Sequence, residues 1–196
     1  MLIKNCNIVY LDKVEKGSVL VENGKIKEIN PSNFDDKDVI DANGLYLSPG
    51  FIDVHIHGAG GHDTMDGTFE AINEISKVIV KHGTTAFTPT TMTVAVEDIR
   101  KSMEVIKEAK EKGTDGAIVL GAHLEGPFIS PKAIGAQNPN FLIPPTLENY
   151  NAMVGDAEDA VEKIGIEKSR KLVEEADLII AIIDASKQLT SEDIEI

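Results

Sequence analysis

Between residues 51 and 126 three apolar runs, FIDVHIH, TTAFTPTT and GAIVLGAHLEG, alternate with two charged segments whose apolar residues recur at helical spacing. In the first segment Phe69, Ile72, Ile75 and Ile79 fall on one face of a helix near residues 68–82, and Gly83 follows as a stop. In the second, near residues 95–112, Ile99, Met103 and Ile106 point inward, Glu108 stands four before Lys112, and Gly113 ends the pattern. Parallel strands cannot be joined by a tight hairpin. They need a crossover of a dozen or more residues, which helices of this length supply. The alternation therefore predicts an α/β fold of right-handed βαβ units around a parallel sheet.

The flanks read differently. Residues 1–50 hold short strand-like runs, LIKNCNIVYL, SVLVENGKIKEIN and DVIDANGLYLSPG, with Asn23-Gly24 as a hairpin signal. This is a small β-layer. Residues 126–150 form a Pro- and Asn-rich loop of a length that suits a functional role. From Asp156 a charged helical segment, EDAVEKIGIEKSRKLVEEA, leads into the apolar strand-like DLIIAIIDAS. LTSEDIEI then opens a helix, with Thr190 and Asp193 in a capping pattern, and the sequence ends about one turn later.

Composition narrows the function classes. A hydrophobic content of 42% supports a packed core. A net charge of −14 argues against nucleic acid or an anionic membrane as partner, since both demand a basic surface. The single Cys6 rules out an internal disulfide and a cysteine-based zinc site. No signal-like segment opens the sequence and no apolar run reaches about 18 residues, so a cytoplasmic location is expected.

The chemistry sits at the strand ends. Alternate side chains of a strand share a face, so Phe51, Asp53, His55 and His57 point one way and Ile52, Val54 and Ile56 the other. Two imidazoles two residues apart at a strand's end converge on one point, and neutral imidazole is a good ligand for zinc, iron and similar ions. The alternative is two surface histidines on an edge strand. His123 and Glu125 end the third run in the same relation, where Glu125 can supply a third ligand or serve as a loop carboxylate. His123 is expected to support its neighbours from the second layer, as is Asp53.

The motifs PGFIDVHIHGAGGHDTMD, GTTAFTPTTMT, GAHLEGPFISPKAIGAQNPNF and PPTLENY resemble the N-terminal part of the N-acetylglucosamine-6-phosphate deacetylases of the amidohydrolase superfamily, over residues 1 to about 155. The resemblance implies the start of a (β/α)8 barrel, about three βα units over residues 51–155, beside part of a small β-sandwich over residues 1–50. It implies a divalent metal, zinc or iron, on His55, His57 and Glu125, and contacts from Ala136 and Gln137 to an amino-sugar phosphate. His62 falls in the family's glycine loop, with a supporting role at most. The activity implied is hydrolysis of the acetamide of N-acetylglucosamine 6-phosphate to glucosamine 6-phosphate and acetate.

The family's further histidine ligands, its catalytic aspartate and its phosphate-binding residues come from later strands. The five histidines here are His55, His57, His62, His82 and His123. The site is therefore expected to be incomplete, the metal weakly held and the chain inactive. Three strands of a barrel leave open edges, so homo-oligomers or aggregation are expected. Residues 156–196 resemble a helix–strand fragment of the G domain of the TrmE-type tRNA-modification GTPases, with Asp184 ending the strand. No G-x-x-x-x-G-K-[ST] loop accompanies it, so GTP binding is not expected. The competing readings are a non-catalytic metal-binding or interaction module, and a GTPase-related fragment.

Overall fold

A computed structural model describes residues 1–34 and 38–155. The helix, strand and final helix expected over residues 156–196, Asp184 among them, lie outside the described residues. The chain divides into two compact units, Met1–Phe51 and a second beginning at Ile52.

The first unit is a single five-stranded sheet. Its strands are β1 (Leu2–Val9), β2 (Val14–Glu22), β3 (Lys25–Ile29), β4 (Val39–Asp41) and β5 (Tyr46–Leu47). The order is β3-β2-β1-β4, and β5 also pairs with β1. β1, β2 and β3 run antiparallel in sequence, whereas β4 and β5 run parallel to β1. The β2–β3 hairpin closes with Glu22 opposite Lys25. Its two loop residues, Asn23 and Gly24, have φ of 51° and 71°. A two-residue turn that matches the strand twist requires left-handed backbone at both positions, and Asn-Gly reaches it with least strain. Cys6, Ile8 and Val19 are the buried centre, with Ile3, Tyr10, Val21 and Leu47 packed around them.

The second unit carries the alternating pattern. β6 (Phe51–Ile56) leads into a tight hairpin, β7 (Gly58–Ala59) and β8 (His62–Asp63), and a one-turn helix, Thr64–Asp66. Then come α1 (Phe69–Val80), β9 (Thr84–Pro89), α2 (Val96–Lys112), β10 (Ile118–Val119) and, past a long loop, α3 (Leu147–Val154). The sheet order is β10-β9-β6. β9 and β10 pair in parallel across α2, the expected crossover unit. Thr68 caps α1 by accepting from the Ala71 N–H. Ile72, Ile75 and Ile79 of α1 and Ile106 and Ala109 of α2 bury against Phe87 and Val119, forming one core on one side of the sheet.

Three details differ from the sequence reading. Met103 is half-buried, because α2 turns a stripe of Ile99, Ser102, Ile106 and Ala109 inward and leaves Met103 at its border. The third strand is short. Val119 pairs with Phe87 and His123 with Thr90, four residues of one chain segment against three of the other, so the ladder bulges between them. The loop expected over residues 126–150 ends at Thr146, which caps α3 through the Asn149 N–H. Only Met153 and Val154 of α3 are buried, too few to print a helical period on the sequence.

Phe87 has no exposed surface. Phe87→Ala should therefore lose about 3–5 kcal/mol of stability in denaturant unfolding. Leu11→Ala, at a fully exposed position, should change it by less than about 0.5 kcal/mol. Equal losses at the two positions would contradict this core.

Candidate metal centre

The ends of β6 and β9 are stitched together by threonine. The Ile56 N–H donates to Thr90 Oγ1 at 3.0 Å, and the Thr90 N–H donates to the Ile56 carbonyl at 2.8 Å. The His57 ring lies against the same residue, its Nδ1–H donating to the Thr90 carbonyl at 3.1 Å. A carbonyl can only accept, so this contact fixes the tautomer and leaves a lone pair on His57 Nε2. Asp53 Oδ1 accepts from the His55 N–H at 3.1 Å and steadies that backbone. His123 donates from Nδ1 to the Val54 carbonyl at 2.9 Å and stands edge-on to the His55 ring, centroids 4.7 Å apart.

Glu125 meets the imidazole pair from the other side. Its Oε2 lies 2.7 Å from His55 Nε2 and 3.2 Å from His57 Nε2. The two Nε2 atoms are 3.3 Å apart. Oε2 is buried, and neither ring approaches it in hydrogen-bonding alignment. Three electron-pair donors thus face one another at close range, an arrangement that is repulsive unless a cation or proton lies among them. A proton on His55 Nε2 would satisfy one edge and leave the lone pair of His57 facing it. A divalent ion satisfies all three. Ligands at about 2.05 Å in tetrahedral array stand about 3.3 Å apart, against the 2.7, 3.2 and 3.3 Å found here. The residues fit such an ion. The half-exposed His55 leaves one side of the cluster open to solvent.

The remaining sequence candidates sit around this triangle. Gln137 is buried, its Oε1 accepting from the Thr93 N–H and its Nε2 donating to Glu125 Oε1, each at 2.8 Å. Both ends of its amide are engaged within the protein. Ala136 beside it is exposed on the loop. His62, with Nδ1 3.6 Å from Asp66 Oδ2 on the glycine hairpin, is outside the cluster. The threonines of TTMT were not singled out by sequence. Thr90, Thr91 and Thr93 are buried, and besides the Thr90 contacts Thr91 Oγ1 accepts from the Glu125 N–H at 3.2 Å. A cluster of small hydroxyls ending an apolar strand was the available signal.

His-x-His at one strand end with a carboxylate at the end of another is the metal-binding pattern of a metal-dependent hydrolase, and the family comparison agrees. The model of the amidohydrolase family matches residues 46–194, and the chain belongs to that family. It is 38% identical over 157 residues to the N-acetylglucosamine-6-phosphate deacetylase of Bacillus subtilis, covering 76% of this chain and 40% of that protein. The deacetylase of the same name from Lysinibacillus sphaericus is 34% identical over 150 residues, 76% of this chain and 39% of that one. The crystal structure of the Pasteurella multocida enzyme superposes with a TM-score of 0.67 at 27% identity, over 78% of this chain and 42% of that one. The chain thus spans about two fifths of the relatives it matches. The amidohydrolase match also runs through residue 194, across the segment read as a GTPase fragment, and lends that reading no support. Among the described residues no helix is long and apolar enough to cross a membrane.

Gly126 follows the ligand Glu125 at φ 72°, and a Cβ there would lie 1.9 Å from Thr93 Oγ1. Gly126→Ala should displace the Glu125 backbone and weaken zinc binding at least about tenfold, measured by chelator competition. Unchanged affinity in a folded variant would contradict the placement of Glu125.

Proposed function

We propose that this chain supplies the first part of the active site of a deacetylase acting on an amino-sugar 6-phosphate, with N-acetylglucosamine 6-phosphate as substrate and zinc or iron as metal. The single observation that carries the reading is the His55–His57–Glu125 triangle at the carboxyl ends of β6 and β10, the strands on either side of β9. The names of the relatives from Bacillus subtilis and Lysinibacillus sphaericus supply the substrate class. When bound, a divalent ion in this family's chemistry polarises the acetamide carbonyl and lowers the pKa of an attacking water from 15.7 toward about 7. The work of the residues is placement. His57 is held in one tautomer by Thr90, Glu125 presents one oxygen, and exposed Ala136 borders the same loop where the sugar would lie. The lone Cys6 suits a reducing cytoplasm.

No histidine follows His123, so the 196 residues by themselves are expected to bind metal weakly and to release no acetate. The G-domain resemblance of residues 156–196 adds no nucleotide chemistry to this reading, because the sequence lacks a phosphate-binding loop. Exposed Ile52, Val54 and Ile118 on the sheet of the second unit favour self-association. Sedimentation velocity should therefore show dimers or larger species, and a monomer at all concentrations would contradict this.

The activity is tested by joining residues 1–155 to the later part of the Bacillus subtilis relative. The folded chimera should release acetate from N-acetylglucosamine 6-phosphate at about 1 s⁻¹ or faster, and His57→Ala should abolish it. A folded, metal-loaded chimera without turnover on this substrate would overturn the assignment.

A further inference from the structure

Gln137 stands in the part of the loop where the family resemblance implies a contact to the sugar, yet its side chain is only 8% exposed and faces the protein. The orientation of its amide is settled by its neighbours. The Thr93 N–H can only donate, so the carbonyl end of Gln137 must face it, at 2.8 Å. That leaves the NH2 end to donate to Glu125 Oε1, also at 2.8 Å. Glu125 is gripped a second time through its backbone, whose N–H donates to Thr91 Oγ1 at 3.2 Å. With Oε1 occupied by Gln137, Oε2 is the oxygen turned toward His55 Nε2 and His57 Nε2.

We infer that Gln137 is a positioning residue for the metal centre: it holds Glu125 Oε1 so that Oε2 alone serves as ligand, and it ties the substrate-side loop to the metal. This rests on the metal reading above. A carboxylate free to rotate about its last torsion spends part of its time with neither oxygen aimed at the imidazoles, and its ordering entropy is then lost on binding. A hydrogen bond to an ionised carboxylate removes that freedom in advance. The coupling runs both ways, because binding energies linked through one residue are reciprocal. Gln137 is anchored in a turn whose N–H donates to the Ile134 carbonyl at 3.2 Å. Exposed Lys132 lies five residues earlier on the same loop. A metal that fixes Glu125 therefore also fixes the loop around Lys132.

The test uses the full 196-residue chain, with zinc affinity read by competition against a chromophoric chelator. Gln137→Met keeps the volume but removes both the donor to Glu125 and the acceptor of the Thr93 N–H, and Gln137→Ala removes the volume as well. Both variants should bind zinc about 10- to 100-fold more weakly than the parent. Gln137→Met should melt below the parent, because the buried Thr93 N–H loses its acceptor, and Gln137→Ala, which also loses packing, should melt lower still. The two should nevertheless lose zinc affinity alike, whereas under a merely structural role the affinity would follow the stability. Zinc should slow tryptic cleavage after Lys132 in the parent, followed by mass spectrometry, and should not slow it in Gln137→Met. Zinc affinity of Gln137→Met within twofold of the parent would overturn the inference. If the parent binds zinc, the His55→Ala/His57→Ala variant does not, and Gln137→Met matches the parent, only the role of Gln137 falls. If the double-histidine variant binds as well as the parent, the metal reading falls and takes this inference with it.

Discussion

The second unit is organised around an unfavourable contact that only a positive charge relieves. The lone pairs of two imidazoles and a carboxylate oxygen converge within 2.7–3.3 Å of one another. Folding does not bring such groups together for their own attraction. Burying an unpaired carboxylate oxygen costs free energy, and Glu125 Oε2 is buried without an aligned donor. The protein holds the triangle by its surroundings. Thr90 fixes the tautomer of His57, Thr91 and Gln137 grip Glu125, and the core beneath Phe87 keeps β9 in register with its neighbours.

The three-stranded sheet explains why these residues meet although they lie 70 positions apart in sequence. The carboxyl ends of β6, β9 and β10 sit side by side: His55 and His57 come from the end of β6, Thr90 from the residue after β9, and Glu125 from the segment that follows β10 and its bridge at His123. This is where barrel enzymes place their catalytic groups, because the strand fixes the backbone while the loop beyond it varies freely. The slip in register between Val119 and His123 belongs to the same design. It re-aims the segment so that His123 backs the ring of His55 and Glu125 reaches the far side of the pair.

The parts readable from sequence were those written locally. The period-two pattern of FIDVHIH put both imidazoles on one face without reference to any other segment, and the helical periods of α1 and α2 were written in their own apolar residues. Asn23-Gly24 announced its turn for the same reason. What sequence did not convey was partnership over distance. Nothing adjacent to Gln137 shows that its amide spans to Glu125 and Thr93, and the threonines of TTMT look like ordinary strand residues until their hydroxyls are seen to accept from the neighbouring strand. The helix α3 was hidden because only its last turn is buried.

The whole reading depends on a divalent ion sharing two imidazoles and one carboxylate. X-ray absorption at the zinc edge of the loaded chain measures this directly. The expected result is a first shell of nitrogen and oxygen at about 2.0–2.1 Å, with the outer scattering of two imidazole rings, both rings lost in the His55→Ala/His57→Ala variant. A spectrum of oxygen scatterers without imidazole, or one unchanged in that variant, would contradict it.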